Sequence, residues 1–235
     1  MHDMVYQSNT IEIAEEPRIA VVGVGGAGCN VISEFYGSLC SVDTIAINTD
    51  KEALHNTSAD SKIYICKEVL KGQGANGDAV LGKKCAEIHR EEIREAVAGH
   101  DFVFVIAGLG GGTGTGAASV VIEAAQSQNI MTFAIAISPF FFEGARVASA
   151  KTGYAHIKSI CPNSCLVEND LVLKHMSDLT PTKAFTEVNR SIRKYVMDQV
   201  RMVEEIYQDE MDKSRDVDVQ EVPETTFPIG QLMSA

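Results

Sequence analysis

The glycine-rich run at residues 108–116 is the part of the sequence best suited to binding phosphate. It reads Gly-Leu-Gly-Gly-Gly-Thr-Gly-Thr-Gly and lies between the apolar segments 102–107 and 117–122. This pattern predicts a buried strand, a loop and a helix, in which backbone N–H groups and the helix N-terminus approach one anion closely. The hydroxyls of Thr113 and Thr115 add two donors. Because the loop lacks the lysine of the common Gly-x-x-x-x-Gly-Lys-Ser/Thr loop, its backbone would supply most of the binding.

Two further glycine-rich segments are also suited to binding phosphate. Residues 23–28 read Gly-Val-Gly-Gly-Ala-Gly after a short apolar run, and residues 71–77 read Lys-Gly-Gln-Gly-Ala-Asn-Gly. The first also fits an NAD-binding Rossmann unit, whose ribose is held by an acid near the position of Asp50. A dinucleotide domain needs only one such loop. Three loops therefore favour a nucleoside triphosphate, with NAD as the alternative.

The composition excludes several classes of protein. The chain has 235 residues, of which 20 are basic and 32 acidic, and no Lys/Arg cluster points to a nucleic-acid partner. No apolar run reaches the ~20 residues that would span a bilayer, and the polar N-terminus lacks a signal-peptide core, so we expect a cytoplasmic location. The six cysteines form no zinc-binding pattern, which predicts buried, reduced thiols and no metal site of protein ligands.

The alternation of apolar runs with helical patterns predicts the fold. Strands are expected at 18–22, 44–47, 62–65, 102–107 and 131–137, with a sixth candidate at 164–167, and one helix is expected over 78–97 with Ile88 facing inward. This order predicts an α/β domain with a Rossmann-like parallel sheet and helices on both faces. Loops at the carboxyl ends of the strands would then meet at one rim, where such sheets bind ligands.

Four segments are expected along the chain. Residues 1–16 are polar and predict a flexible arm, and residues 17–181 form the α/β domain. From 182 to 212 apolar residues recur every three or four positions, which predicts one long helix. Residues 213–235 are acidic and contain two prolines, which predicts a disordered tail.

The order of these motifs resembles the tubulin/FtsZ family of GTP-binding proteins, and its FtsZ branch in particular. The triple-glycine run at 110–116 resembles the family's signature, and the resemblance extends over about residues 17–200. Other segments that resemble family motifs, in chain order, are 23–30, 46–50, 74–76, 139–144, 169–174 and 184–189. The resemblance implies a short FtsZ-like protein with the GTP-binding domain only.

The resemblance also implies a set of nucleotide-binding residues. These are Gly25, Gly26, Ala27, Gly28, Cys29, Asn30, Asn48, Thr49, Asp50, Gly74, Ala75, Asn76, Gly110, Gly111, Gly112, Thr113, Gly114, Thr115, Gly116, Glu143, Arg146, Asn169, Phe185 and Asn189. In the family the acid matching Glu143 meets the ribose, and Arg146 matches a nearby arginine although it lies one residue closer. Phe185 would cover the guanine and Asn189, four residues later on the same helix face, would read its edge. Mg²⁺ would accompany GTP.

The sequence departs from the family after the long helix. The family continues with a second α/β domain and with an Asn-x-Asp-x-x-Asp loop, which completes the GTP site of the next subunit. Here only 23 residues follow Asp212, too few for such a domain. Asp209 and Asp212 keep the Asp-x-x-Asp spacing within a continuing helical pattern. They are the candidate catalytic residues, acting on another subunit, and a solvated acidic helix end is the alternative.

The resemblance implies a GTP/GDP-binding protein that acts as a nucleotide-dependent switch or assembly component in a cytoskeletal or division-related process. Its GTPase activity would be weak or dependent on assembly, and it would associate with itself or with another FtsZ-like filament protein. One alternative is a regulatory module that binds nucleotide without hydrolysing it. Another is an NAD-binding Rossmann protein.

Overall fold

Six parallel strands form one sheet in the order β3-β2-β1-β4-β5-β6. The structure is a computed structural model that describes residues 16–37, 42–66, 70, 72, 74–174 and 181–218. The strands are β1 (Ile19–Val24), β2 (Val42–Asn48), β3 (Ser61–Tyr64), β4 (Phe102–Gly108), β5 (Met131–Ser138) and β6 (Ser164–Glu168). Every strand runs parallel to its neighbours, which confirms the predicted fold class.

Helices cover both faces of this sheet. They are α1 (Gly25–Phe35), α2 (Lys51–Asn56), α3 (Ala79–Ile88), α4 (Arg90–Val97), α5 (Gly112–Gln126), α6 (Ala145–Ile160), α7 (Asn169–Lys174) and α8 (Pro181–Asp218), and a 3₁₀ turn spans Phe141–Glu143. Helices α1 and α8 pack with one apolar cluster, whereas α3 to α6 pack with the other. No helix among these described residues is long and apolar enough to cross a membrane.

The two faces explain why the strands are almost continuously apolar. Along β1, Ile19 and Val21 belong to the cluster beneath α1 and α8, while Ala20, Val22 and Val24 belong to the cluster on the opposite face. All five side chains are buried, because successive residues of a strand point to opposite sides. The central strands β1 and β4, covered on both faces, therefore need apolar residues at nearly every position, whereas the edge strand β3 buries only Ile63.

The single helix predicted over 78–97 is wrong, because α3 and α4 are separate. The break is at His89, whose backbone leaves the helical region at φ −103° and ψ 19°. Its imidazole Nε2 accepts a hydrogen bond of 2.9 Å from the backbone N–H of Cys66, and its Nδ1 lies 2.8 Å from Glu92 Oε2. This side chain thus ties the helix break to the loop after β3. Ile88, expected to face inward, is 68% exposed at the end of α3.

The long C-terminal helix extends further than the sequence analysis expected. It begins at Pro181 and continues past Asp212 to Asp218, into the segment expected to be a disordered tail. One side of it buries Ala184, Val188, Ile192, Val196 and Val200 beneath α1 and the sheet. Residues 1–15 of the arm predicted over 1–16, and the segment 219–235, lie outside the described residues.

The contact between α3 and α5 depends on a glycine, and this gives a test of the packing. A Cβ on Gly116 would overlap the carbonyl oxygen of Ala79. Replacing Gly116 by alanine should lower the free energy of unfolding by about 1–3 kcal/mol, as overpacking does, even though alanine favours helix by about 1 kcal/mol. Urea denaturation measures the change.

Gly26→Ala is the matched control, because a Cβ at that helical position meets no atom within 4 Å. It should leave the free energy of unfolding unchanged or raise it. A Gly116→Ala variant as stable as the wild type would show that the two helix backbones can separate without cost.

Candidate functional site

A cavity of about 340 Å³ lies at the carboxyl ends of β1 and β4. The chain leaves β1 into α1 on one face of the sheet and leaves β4 into α5 on the other. The two helices therefore pass to opposite faces and leave a crevice at the rim, as expected where the strand order of a parallel sheet reverses. The residues that line it are Gly26, Ala27, Asn48, Asp50, Ala53, Gly74, Asn76, Gly77, Gly108, Leu109, Gly111, Gly112, Thr113, Gly114, Ile137, Ser138, Pro139, Glu143, Arg146, Asn169 and Phe185.

The cavity brings together predicted residues from seven separate segments of the chain. Those that line it are Gly26, Ala27, Asn48, Asp50, Gly74, Asn76, Gly111, Gly112, Thr113, Gly114, Glu143, Arg146, Asn169 and Phe185. They extend over almost 160 positions of sequence, and the parallel sheet is what gathers them. Their contact with a nucleotide stays a prediction.

Glycines allow the two central loops to pack backbone against backbone behind the cavity. Gly25 has a φ of +73°, and a Cβ on it would lie 2.7 Å from the backbone nitrogen of Gly114. A Cβ on Gly114 would in turn overlap the carbonyl oxygen of Gly108, and one on Gly28 would overlap that of Ile106. No other residue type fits at these positions, so the loop after β1 is held directly on the loop after β4.

The helix N-termini around the cavity differ in a way that favours an anion. Helices α1 and α5 both begin at the cavity, and neither has a side-chain cap or an acidic residue in its first turn. By contrast, Asp50 caps α2 by accepting from Ala53 N at 2.9 Å, and Asp78 caps α3. The free N–H groups and the positive ends of the α1 and α5 dipoles are thus available to a negatively charged ligand.

Two charged side chains in the cavity wall, Glu143 and Arg146, are paired with each other. Arg146 Nη1 donates to Glu143 Oε2 at 2.7 Å, and Glu143 Oε1 accepts from the backbone N–H of Phe140 at 2.9 Å. Among the described residues that line the cavity, Arg146 is the one arginine or lysine. It reaches the cavity although its spacing from Glu143 is one residue short of the family pattern, because α6 begins directly after the 3₁₀ turn.

Two buried asparagines leave polar atoms without partners in the cavity wall. Asn48 and Asn169 are only 2% and 3% exposed, and their Nδ2 and Oδ1 atoms respectively have no hydrogen-bond partner among the described residues. A buried polar atom without a partner costs about 1–3 kcal/mol. A ligand that offers one acceptor and one donor at these positions would remove this cost.

An aromatic side chain closes one end of the cavity. Phe185, at the start of α8, is 45% exposed and makes an edge-to-face contact with Phe140, with ring centroids 4.9 Å apart. Phe140 is fully buried and stacks on Phe142. Phe185 is therefore held by an aromatic neighbour while its ring stays accessible, which suits it to stack on a planar base.

The remaining predicted residues do not line the cavity, and several of them support it. They are Gly25, Gly28, Cys29, Asn30, Thr49, Ala75, Gly110, Thr115, Gly116 and Asn189. Thr115 Oγ1 accepts from Gly110 N at 2.9 Å, which fixes the signature loop. Burial raises the pKa of the Cys29 thiol to about 12, so that it stays neutral in the core. Asn30 is exposed on α1, and Asn189 is half-buried one turn beyond Phe185.

The two candidate catalytic aspartates lie far from this cavity. Asp209 and Asp212 are exposed on α8, which is helical through both positions. Asp209 follows Phe185 by 24 residues of continuous helix, which corresponds to about 36 Å. The two carboxylates therefore cannot reach a ligand bound within the same chain.

Several residues of the cavity wall were not among the predicted site residues, including Ala53, Ile137, Ser138 and Pro139. The end of β5 could have been found, because every strand of a parallel sheet ends at the binding rim. Ala53 carries no such signal, since its position depends on how α2 folds over the loop.

Comparison with known proteins places these features in a family. The model of the "Tubulin/FtsZ family, GTPase domain" matches residues 18–177. The cell division protein FtsZ 2 of Haloferax volcanii and that of Halobacterium salinarum are each 37% identical over 182 residues, which is 77% of this chain and 46% of the relative. The chain thus spans about half the length of the curated relatives it matches.

Solved structures agree with this match. An empty FtsZ dimer of M. jannaschii superposes with a TM-score of 0.77 at 34% identity, covering 80% of this chain and 56% of that one. CetZ2 of Haloferax volcanii, solved as a GTPγS-bound protofilament, superposes with a TM-score of 0.69 at 26% identity, covering 78% and 58%.

Gly26 lines the cavity and is suited to test whether the cavity binds the ligand. A side chain at Gly26 would enter open space, whereas a Cβ at Gly112 or Gly114 would lie too close to neighbouring atoms. Gly26→Leu should fill the crevice and abolish binding of GDP, measured by calorimetry. Its free energy of unfolding without ligand should stay within about 1 kcal/mol of the wild type, since leucine is a better helix former than glycine. If this variant bound GDP with the affinity of the wild type, the GDP site would lie outside the cavity.

Proposed function

The chain belongs to the tubulin/FtsZ family, as its motifs predicted, and on this premise we propose that it binds GTP and GDP in the cavity between β1 and β4. The observation that carries the proposal is the convergence of two uncapped helix N-termini with three glycine loops on one cavity. The phosphates would lie against residues 26–27 and 111–114, where backbone N–H groups and the Thr113 hydroxyl are available. Mg²⁺ would bind with GTP, held chiefly by phosphate oxygens and water.

The other end of the cavity would receive the nucleoside. Glu143 and Arg146, joined to each other, would flank the ribose, and Phe185 would stack on the base. The free Oδ1 of Asn169 is an acceptor and the free Nδ2 of Asn48 is a donor. On its base edge guanine carries the O6 acceptor and the N1–H and N2–H donors, and would so supply partners for both, whereas adenine carries a donor at N6 and an acceptor at N1, in exchanged positions.

We further propose that hydrolysis is weak in the single chain and requires assembly. Among the described residues that line the cavity, the two carboxylates are already engaged, Asp50 as the cap of α2 and Glu143 with Arg146, so neither is placed to orient the attacking water. Asp209 and Asp212 are about 36 Å away along α8, so only another copy of the chain could supply them. Such a head-to-tail contact repeats without closing and leads to a filament. This activity fits a cytoplasmic assembly component or switch of a cytoskeletal or division process.

A regulatory role is the second candidate function. Residues 204–212 continue α8 as regular helix, where a catalytic loop would have to leave it. This continuity favours a module that binds nucleotide without turnover and associates with another FtsZ-like filament protein. NAD binding has less support, because the carboxylate that would hold its ribose, Asp50, already caps α2.

Base selectivity tests the nucleotide assignment. We expect GDP and GTP to bind at least about tenfold more tightly than ATP or NAD, because the wrong base leaves a buried polar atom unpaired at about 1–3 kcal/mol. Calorimetry with the four ligands measures this. Equal affinity for ATP and GTP would contradict guanine recognition.

The dependence of turnover on protein concentration tests the assembly hypothesis. Phosphate release per molecule should be negligible in dilute protein and should rise steeply at high concentration. Asp212→Ala should abolish the rise, whereas Asp198→Ala, which removes another exposed aspartate of α8, should not. Turnover that is fast in dilute protein would mean that one chain holds the full catalytic set. A lack of turnover at every concentration would favour the regulatory role.

A further inference from the structure

A hydrogen bond between two buried hydroxyls joins separate walls of the cavity. Thr49 follows β2 and Thr113 is the second residue of α5, and their Oγ1 atoms are 2.6 Å apart. Thr49 is fully buried and does not line the cavity, whereas Thr113 is 8% exposed and does. The pair is therefore a direct polar link between the loop after β2 and the signature loop.

The direction of this hydrogen bond follows from burial. Each hydroxyl has one proton, and among the described residues no other hydrogen bond is made by either Oγ1 atom. The Thr49 proton lies in the protein interior, where a donor without an acceptor is costly, so it must be donated to Thr113. The Thr113 proton then stays free, and Thr113 lines the cavity.

The same bond fixes the orientation of the Thr113 side chain. A threonine in a helix divides its hydroxyl between two rotamers, and the bond to Thr49 selects one of them. Thr115 provides the contrast within the loop: its Oγ1 also accepts one hydrogen bond, from Gly110 N, but Thr115 does not line the cavity. Thr113 is thus the hydroxyl of the signature loop that is prepared for a ligand.

We propose that Thr49 is a positioning residue that holds the Thr113 hydroxyl as a hydrogen-bond donor to the nucleotide phosphates. This inference rests on the proposed function, since phosphate oxygens only accept hydrogen bonds and thus complete the chain from Thr49 through Thr113 to the ligand. Hydrogen bonds in such a chain polarise and strengthen one another. Thr49 therefore acts on the ligand without touching it.

The test is a double-mutant cycle on GDP binding, read by calorimetry, with urea denaturation as a separate measure of stability. Thr49→Val keeps the shape of the side chain and removes the hydroxyl, and it should weaken GDP binding about tenfold, the value of one typical hydrogen bond. Thr49→Ser, which retains the hydroxyl, should restore most of the affinity. In a Thr113→Val background, Thr49→Val should cause no further loss of affinity.

The outcomes distinguish failure of the positioning role from failure of the proposed function. If the wild type binds no guanine nucleotide, the proposed function fails and the role of Thr49 fails with it. Two results would overturn only the positioning role, given that the wild type binds GDP. In the first, the Thr49→Val variant binds GDP as tightly as the wild type. In the second, Thr49→Val weakens GDP binding by the same factor with and without Thr113→Val. Should Thr49→Val not fold, Thr49→Cys replaces it as a weak donor, with the same expected dependence on Thr113.

Discussion

The close approach of two loop backbones is the constraint on which the rest of the site depends. The loop after β1 and the loop after β4 touch through Gly25 and Gly114, and Gly114 in turn lies against Gly108. A Cβ at either of the first two positions would force the loops apart, and α1 and α5 would no longer begin at the same cavity. The sheet fixes the two strands in register, and this contact fixes how closely the first turns of α1 and α5 approach each other.

In the proposed function, the cavity binds an anion largely through its backbone. Helices α1 and α5 have no side-chain caps, so their unpaired N–H groups would be the binding groups, and they cannot be removed by replacing one side chain. Side chains would then contribute specificity, namely the Arg146 and Glu143 pair, the two buried asparagines and the exposed ring of Phe185. Such a division between backbone binding and side-chain selection would account for a loop without lysine.

Much of this arrangement could be predicted from the sequence, because its signals are local. Apolar runs predicted the strands, and the glycine loops after them predicted the rim at which the cavity lies. The break at His89 could not be predicted, since it depends on a hydrogen bond to Cys66, which lies across a loop. The role of Thr49 was invisible for the same reason: its partner, Thr113, is 64 residues away, and only the folded sheet brings the two hydroxyls together.

The central claim is that this cavity selects a guanine nucleotide, and the most direct measurement is the identity of the nucleotide bound to the purified protein. The protein would be denatured after gel filtration, and the released small molecules separated by ion-exchange chromatography against nucleotide standards. The account predicts GDP or GTP in a constant ratio to protein, and none in the Gly26→Leu variant. Recovery of an adenine nucleotide or NAD in that ratio would contradict it.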